Sequence, residues 1–410
     1  MDSRLGSPDF WTLAPAALPD FFRDSPFSWN SSEKSELRAA GEGLTYLDLS
    51  VAEVVIRLGA TGPREVFVSF YNRGDLGRIA DDSFEAYAAK VEAAVAGHAG
   101  VAAEDLGDEF KRSSIRSVSK VWSAPAYSAR LDTAYSRVRE SGELRRQDRP
   151  EFINLTLFPP GTASEGMRVQ RKADTALLDL RQRLKKLDNG DVFLEGVPMV
   201  DQGQKGYCAV ATMERILRYY GSEVNQHELA QQANASGEGT NPDSLVQALR
   251  NMGGKLGLRV DEKINFESKD FFDLVEDYNK LAKRKQEPEI RFGGMRVISM
   301  PEILASMQPE LVREIRLKSQ GRVDKFYREI TDTIDQGRPL AWGVQLGWVE
   351  EKPKLPQARG GHMRLIIGYQ PQKREVLYTD SWGYGHELKR LPLEDAYMMT
   401  NGLFVVEPRN

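Results

Sequence analysis

Cys208, the single cysteine of this 410-residue chain, is the side chain with the clearest capacity for covalent chemistry. It lies where a glycine-containing turn at 201–207 meets a predicted helix at 209–220. A thiol attacks only as its thiolate, and the amino end of a helix stabilises that anion. Lys205 adds a positive charge to the same turn. Cys208 is therefore a candidate nucleophile, with a small buried structural side chain as the alternative.

A thiolate nucleophile needs a base, and the base needs a group that orients it. His362 is the best placed of the four histidines, because it follows a glycine pair and opens a predicted strand at 363–369. If the next predicted strand, 375–379, pairs antiparallel with it, Asp380 returns beside His362. A carboxylate there would hold the imidazole in one tautomer and stabilise its protonated form. His386, six residues after Asp380, is the alternative base.

Acyl transfer also requires donors directed at the developing oxyanion. The backbone N–H of Cys208 is one candidate, and the side-chain amide of Gln202, six residues upstream, is the other. Gln204 lies in the same turn and competes with Gln202 for this role. Trp382 is available to shield the predicted histidine–aspartate pair from water, which would strengthen their interaction.

These segments resemble the active site of papain-like cysteine peptidases. The segment QGQKGYCA at 202–209 resembles the family's nucleophile segment, in which a glutamine precedes the cysteine by six residues. The segments HMRLIIGY at 362–369 and YTDSWG at 378–383 resemble the family's histidine and Asn-Ser-Trp segments. Papain has asparagine where this chain has Asp380. That difference, together with the lead-in GVPMVDQ, is closer to the bacterial double-glycine leader peptidase-like branch, and the resemblance covers residues 195–410.

The resemblance implies a role for each matching residue. Cys208 would be the nucleophile, His362 the general base and acid, Asp380 the group that orients His362, and Gln202 an oxyanion donor. It further implies hydrolysis of a peptide or isopeptide bond through a thioester, a peptide or protein substrate, and no metal or other cofactor. Acyl transfer or deamidation by the same triad, and a catalytically silent binding module, remain alternatives. No transporter segment accompanies the peptidase-like part, so export of a bacteriocin is not implied.

Composition excludes several other classes of protein. With 56 Lys+Arg against 60 Asp+Glu, the formal net charge of −4 argues against a general nucleic-acid or membrane-surface binder. One cysteine excludes an internal disulfide and a cysteine-only zinc site. No apolar run approaches the ~18 residues of a membrane span. No signal peptide is visible at the N-terminus, so we expect a cytoplasmic location unless a signal was removed.

The chain as a whole predicts an α+β fold with a peptidase domain behind a separate N-terminal domain. The N-terminal domain, 1–165, contains strand segments and a helix but no catalytic constellation, so it is a candidate for binding a protein partner or covering the cleft. The peptidase domain, 195–410, carries helices first and antiparallel strands after them. The predicted elements of the two domains are strands within 43–58, 65–72 and 151–159 with a helix at 81–97, then helices at 209–220, 226–234 and 241–252, a charged and mostly helical stretch at 260–338, and strands at 340–346, 363–369, 375–379 and 402–406.

A basic amphipathic linker helix is predicted between the two domains, at 166–194. Its helical face is formed by apolar residues spaced four, three, four and three apart within 168–187. Asp188-Asn189-Gly190 is interpreted as the signal that ends this helix.

Overall fold

The computed structural model describes residues 2–5, 7–73, 79–108, 115–138, 147–162, 180–203, 207–221, 229, 250, 258–292, 299–352 and 355–408. These residues fall into two compact units, one within 2–162 and the other within 180–408. Both units combine helices with antiparallel sheets, and the predicted α+β class is confirmed. Among the helices so described, none has both the length and the apolar character of a bilayer-spanning segment.

The N-terminal unit is built on an eight-stranded antiparallel sheet. Its strands and helices are α1 Asp2–Leu5, α2 Leu18–Phe21, β1 Ser28–Trp29, β2 Glu36–Ala40, β3 Thr45–Tyr46, β4 Leu49–Ser50, β5 Glu53–Leu58, β6 Pro63–Asn72, α3 Asp81–Ala99, β7 Glu104–Asp108, β8 Ile115–Ser123, β9 Ser128–Val138 and β10 Gln147–Phe158. The strand order is β1-β2-β5-β6-β10-β9-β8-β7, and β3 and β4 form a separate ribbon.

Helix α3 covers one face of this sheet. Phe84 on α3 makes edge-to-face contacts with Tyr71 of β6 and Tyr135 of β9, at ring-centroid distances of 5.4 and 5.2 Å. The helix ends at Gly100, whose φ of +65° favours glycine. Ion pairs also form within the sheet, such as that between Arg38 and Glu53 at 2.8 Å. The predicted helix at 81–97 is thus confirmed, two residues longer than expected.

The C-terminal unit is built on a second antiparallel sheet. Its elements are β11 Leu184–Lys186, β12 Val192–Leu194, α4 Cys208–Tyr219, β13 Leu258–Asn265, α5 Ser268–Lys285, α6 Met300–Ser306, α7 Pro309–Arg316, α8 Gln320–Ile334, β14 Leu340–Leu346, β15 Gly360–Gln370, β16 Glu375–Thr379, β17 Lys389–Pro392, α9 Leu393–Met399 and β18 Thr400–Pro408. The strand order is β11-β12-β15-β14-β18-β13, with β16 paired to β15 and β17 paired to β16.

The four predicted strands and the helix that begins near Cys208 are confirmed. The charged stretch at 260–338 contains helices α5 to α8, as predicted, but it begins within the edge strand β13. Residues of α5, α6 and α7, including Phe271 and Leu304, form a separate apolar cluster together with Trp348, which follows β14. Apart from single positions, the predicted helices at 226–234 and 241–252 lie outside the described residues.

The prediction of a linker helix at 166–194 is wrong over its described part. Leu180–Arg183 is a single 3₁₀ turn, and 184–194 is the hairpin of β11 and β12, which joins the C-terminal sheet through β15. Asp-Asn-Gly is a turn sequence between two strands here, with Gly190 at a φ of +88° and Asn189 Oδ1 accepting from the Asp191 N–H. Pairing with β15 decides the conformation, which the spacing of leucines alone could not show.

Gly368 of β15 pairs with Phe193 of β12, and there is no space for a side chain at this position. A Cβ at this position would collide with the carbonyl oxygen of Val192 and lie 2.6 Å from the Cβ of Phe193. We expect Gly368→Ala to lower the free energy of unfolding by about 2 kcal/mol, measured by urea unfolding. Gly321→Ala in α8 is the matched control, since nothing lies within 4 Å there and no loss is expected. Equal stability of the two variants would contradict this prediction.

Candidate active site

The hairpin of β15 and β16 brings His362 and Asp380 together. Leu365 pairs with Thr379, so the residue after β16 returns beside the start of β15. His362 Nε2 lies 3.1 Å from Asp380 Oδ1, and both side chains are completely buried. The antiparallel return predicted from the strand order therefore produces the expected contact.

Helix α4 presents Cys208 to the same end of β15. Cys208 is the first residue of the helix and is partly accessible to solvent. Its thiol lies near the His362 imidazole and near the backbone N–H groups of Met363 and Ala209. His362 Nε2 faces Asp380, which leaves Nδ1 on the thiol side. That Nδ1 is buried and has no hydrogen bond of ordinary geometry among the described residues, as is common for a nucleophile–base pair before substrate binds.

The charges in this group stabilise one another against the effect of burial. Burial works to raise the pKa of Cys208, but the nearby imidazole of His362 and its charge outweigh burial and lower that pKa. Burial works to lower the pKa of His362, but its hydrogen bond to Asp380 and the nearby Cys208 thiol raise it. Because the pKa of the thiol is lowered and that of the imidazole is raised, the thiolate–imidazolium pair is favoured over the neutral pair.

Trp382 covers the imidazole, as the sequence suggested. Its ring stacks on His362 with a centroid distance of 4.2 Å and an interplanar angle of 7°. Trp382 itself stays partly exposed, so it separates the buried ring of His362 from solvent. Exclusion of water strengthens the electrostatic interaction between His362 and Asp380.

Gln202 is buried and fastened to the segment that follows Asp380. Its backbone N–H donates to the Ser381 carbonyl at 2.8 Å, and its side-chain Oε1 accepts from the Ser381 hydroxyl at 2.6 Å. These bonds identify Oε1 as the acceptor end of the amide, so Nε2 is its donor end. Gly203, with a φ of +68°, turns the chain from Gln202 towards the helix. The competitor Gln204 lies outside the described residues.

His386, the alternative base, is placed differently. Its Nδ1 lies 3.9 Å from Asp380 Oδ2, on the oxygen that does not face His362. The ring meets Trp382 edge-on at a centroid distance of 5.5 Å. The imidazole that interacts with the thiol of Cys208 is that of His362.

Sequence reasoning missed a set of cations around Asp380. Arg364 Nε donates to Asp380 Oδ1 at 2.7 Å, and Lys389 Nζ lies 3.3 Å from Oδ2. Arg215 of α4 donates to the Asp380 carbonyl at 2.9 Å. Burial works to raise the pKa of Asp380, but the charge of Arg364, the hydrogen bond to His362 and the nearby His386 hold it well below its usual range. An arginine inside the apolar strand MRLII was the available signal for Arg364.

Within the part of the chain that the structure describes, no group of three histidine, cysteine or carboxylate side chains is arranged to hold a metal ion. A thiol, an imidazole and a carboxylate placed in this order can supply a nucleophile, its base and an orienting group, so Cys208, His362 and Asp380 are the candidate catalytic residues.

Two family models match the C-terminal unit. Residues 196–270 match the Peptidase C39 family, and residues 277–402 match the Peptidase_C39 like family. Together these models match most of the C-terminal unit, which we call the C39-type unit. It is a cysteine peptidase. The resemblance drawn from the active-site segments is thereby confirmed for the C39-type peptidase unit. No curated protein matches the chain.

Solved peptidase structures were also found to be similar to the chain. The peptidase domain of Streptococcus ComA, a bi-functional ABC transporter, is 13% identical, with 52% of this chain and 99% of that chain covered and a TM-score of 0.26. A double glycine motif protease from an AMS/PCAT transporter is 14% identical, with coverages of 52% and 92% and a TM-score of 0.26. Xylellain, a cysteine protease from Xylella fastidiosa, is 15% identical, with coverages of 57% and 89% and a TM-score of 0.24. The assignment of the C39-type unit depends on the family matches and not on these low TM-scores.

Proposed function

We propose that the C39-type unit cleaves a peptide or isopeptide bond through a Cys208–His362–Asp380 triad and a thioester intermediate. The observation that carries this proposal is the buried pair of His362 and Asp380, with Nε2 3.1 Å from Oδ1, placed near the thiol of Cys208. Cys208 is the first residue of α4, His362 lies at the start of β15, and Asp380 directly follows β16, so regular secondary structure holds or adjoins each group.

The proposed reaction begins with the thiolate and the imidazolium already formed. Cys208 Sγ attacks the carbonyl carbon of the substrate, and the carbonyl oxygen becomes an oxyanion. The proposed donors to that oxyanion are the backbone N–H of Cys208 and the Nε2 amide of Gln202. As the C–N bond breaks, His362 gives its proton to the leaving amine, and a thioester remains on Cys208.

Hydrolysis of the thioester completes the cycle. Water attacks the thioester carbonyl while His362, now neutral, accepts a proton from it. The second tetrahedral intermediate expels the Cys208 thiolate, which releases a free carboxylic acid and restores the ion pair. Asp380 remains ionised throughout and accepts a hydrogen bond from His362 Nε2.

The test follows alkylation of Cys208 by iodoacetamide against pH, read by intact mass. Because the chain has one cysteine, each added label reports that thiol alone. We expect the wild-type rate to stay high well below the ordinary thiol pKa of ~8.5, since His362 lowers the pKa of Cys208. At pH 6 we expect the alkylation rate of His362→Ala to be at least roughly tenfold lower than that of the wild type. This figure already includes the lower intrinsic nucleophilicity of a thiolate whose pKa is low.

His386→Ala is the matched control for that experiment. His386 also faces Asp380, but from the side away from the thiol, so the alkylation profile of this variant should stay close to that of the wild type. A wild-type thiol that titrates like a free cysteine, or a profile that depends on His386 and not on His362, would contradict the proposed triad.

A further inference from the structure

Arg364 is a cation in the interior of the sheet, two residues after His362. Its side chain has no exposure to solvent, and its neighbours along β15 are Met363, Leu365 and Ile366. Side chains two apart on a strand share a face, so the guanidinium extends towards the same region as the imidazole. A charge in such a place is stable only where it is paired and hydrogen-bonded.

The guanidinium of Arg364 bridges two carboxylates. Its Nε donates to Asp380 Oδ1 at 2.7 Å, the same oxygen that faces His362 Nε2 at 3.1 Å. Its Nη2 lies 3.0 and 3.1 Å from the two carboxylate oxygens of Glu351. The plane lies over the ring of Tyr378 at 4.6 Å, and the Tyr378 hydroxyl donates to Glu351. The carboxylates of Asp380 and Glu351 and the ring of Tyr378 therefore fix the position of the Arg364 guanidinium.

Glu351 comes from the connection between β14 and β15, and yet its side chain is almost completely buried. Connections normally lie on the surface, because polar groups within them need water. Glu351 instead reaches inward to Arg364, which ties this connection to the carboxylate beside His362. On the same connection, the Trp348 indole N–H donates to the Leu304 carbonyl of α6 at 3.0 Å.

The charges that face Asp380 come from every element around it. Arg364 and Lys389 provide two cations, and Asp380 and Glu351 provide two anions, so these four are balanced before Cys208 and His362 exchange a proton. Of the two cations, Arg364 has the shorter contact and the more complete burial. The titratable and charged groups around Asp380 are His362 and Arg364 on β15, Tyr378 on β16, His386 on the loop after Asp380, Lys389 on β17, Glu351 beyond Arg364, Cys208 beyond His362, and Arg215 on α4 through the Asp380 carbonyl.

We propose that Arg364, held by Glu351, is a positioning residue that keeps Asp380 ionised and directs its Oδ1 at His362. A neutral asparagine, as in papain, needs no counter-charge, whereas a completely buried aspartate does. Protonated Asp380 could not support the imidazolium of His362, and the thiolate of Cys208 would lose its partner. This inference rests on the proposed triad, since it assigns Arg364 its role through His362.

The test compares the pH profile of Cys208 alkylation in the wild type, Arg364→Leu and Arg364→Lys. Loss of the guanidinium raises the pKa of Asp380, so the carboxylate takes up a proton at a higher pH. We expect the acid limb of the alkylation profile to move upward by about one pH unit in Arg364→Leu. Lysine retains the charge but cannot bridge Asp380 and Glu351 through two nitrogens, so Arg364→Lys should move the limb in the same direction by a smaller amount.

Arg390→Leu is the matched control. Arg390 also bridges two carboxylates, with nitrogens 2.9 Å from Asp191 and 3.3 Å from Glu375, but it is partly exposed and does not face Asp380. The acid limb of the alkylation profile of Arg390→Leu should coincide with that of the wild type. The unfolding midpoint of this variant should drop slightly. If the Arg390 and Arg364 variants all lose stability but only the Arg364 variants show a shifted acid limb, Arg364 has a positioning role and not merely a structural one.

Each outcome decides the inference. An upward shift in the Arg364 variants supports it. An acid limb that is unchanged or moves to lower pH overturns the inference. If Arg364→Leu does not fold, the result for Arg364→Lys decides. The wild-type and His362→Ala profiles are measured first: if they coincide, the proposed triad itself fails. If they differ and the Arg364 variants follow the wild type, the triad stands and only the role of Arg364 is lost.

Discussion

Replacement of Cys208 by alanine is expected to reduce peptide hydrolysis on the order of 10⁴-fold or more, since no other thiol can form the acyl-enzyme. The probe is a degenerate peptide library, with new free carboxyl and amino termini counted by mass spectrometry. The wild type should produce them, and Cys208→Ala should leave the library as it was. An added primary amine distinguishes the two covalent fates: free acids indicate hydrolysis, and new amides indicate acyl transfer.

The fold of Cys208→Ala should be unchanged, because the substitution removes one small, partly accessible sulfur atom. Equal unfolding midpoints for the two proteins would show that lost activity reflects lost chemistry. Retention of most of the hydrolysis by a folded Cys208→Ala would exclude Cys208 as the nucleophile of this cysteine peptidase.

Arg215→Met is expected to lower the free energy of unfolding by about 3 kcal/mol or more, because it leaves several buried acceptors without a donor. The guanidinium donates to the Pro198 carbonyl at 2.7 Å, the Asp380 carbonyl at 2.9 Å and the Thr379 hydroxyl at 2.7 Å. Methionine retains most of the aliphatic stem, so the loss reports the hydrogen bonds more than a cavity. Urea unfolding followed by tryptophan fluorescence measures it.

The site should respond to Arg215→Met as well. Arg215 joins the helix that begins at Cys208 to the backbone of Asp380. Its loss should therefore make the distance between Cys208 and Asp380 less fixed. We expect slower alkylation of Cys208 at pH 6 in the folded fraction of this variant. Arg328→Met, on an exposed position of α8, is the control and should change neither quantity. A stability for Arg215→Met equal to that of Arg328→Met would contradict the structural role assigned to Arg215.

The local pattern of the sequence accounts for much of the candidate site. His362 opens a run of apolar residues, and Asp380 ends the next such run after a short turn at 371–374. Two strands joined by so short a connection can only pair antiparallel, which returns Asp380 to His362. The stacking of Trp382 on His362 follows from the same return. These contacts are nearly local, and short-range rules are sufficient for them.

Residues 180–194 show where such rules fail. Leucines spaced at three and four suit a helix, and Asp-Asn-Gly suits either the end of a helix or a turn between strands. The choice depends on β15, which follows about 170 residues later and offers Tyr369 and Gly368 as partners for β12. The hydrogen bonds of that pairing are unavailable to a helix, and no window of sequence around 180–194 contains this information.

The sequence by itself determined the α+β class, strands β14, β15, β16 and β18 of the C-terminal sheet, and the residue types of a thiol peptidase, because each depends on short-range periodicity or on motif spacing. Tertiary structure alone decided that Arg364 and Lys389 surround Asp380 and that Arg215 bonds to its backbone. It also decided that Glu351 leaves a surface connection to bridge to Arg364. The physical reason is that a buried carboxylate requires counter-charges and donors from whichever elements pack around it. In this chain those groups come from α4, β15, β17 and the connection before β15, which only the folded chain brings together.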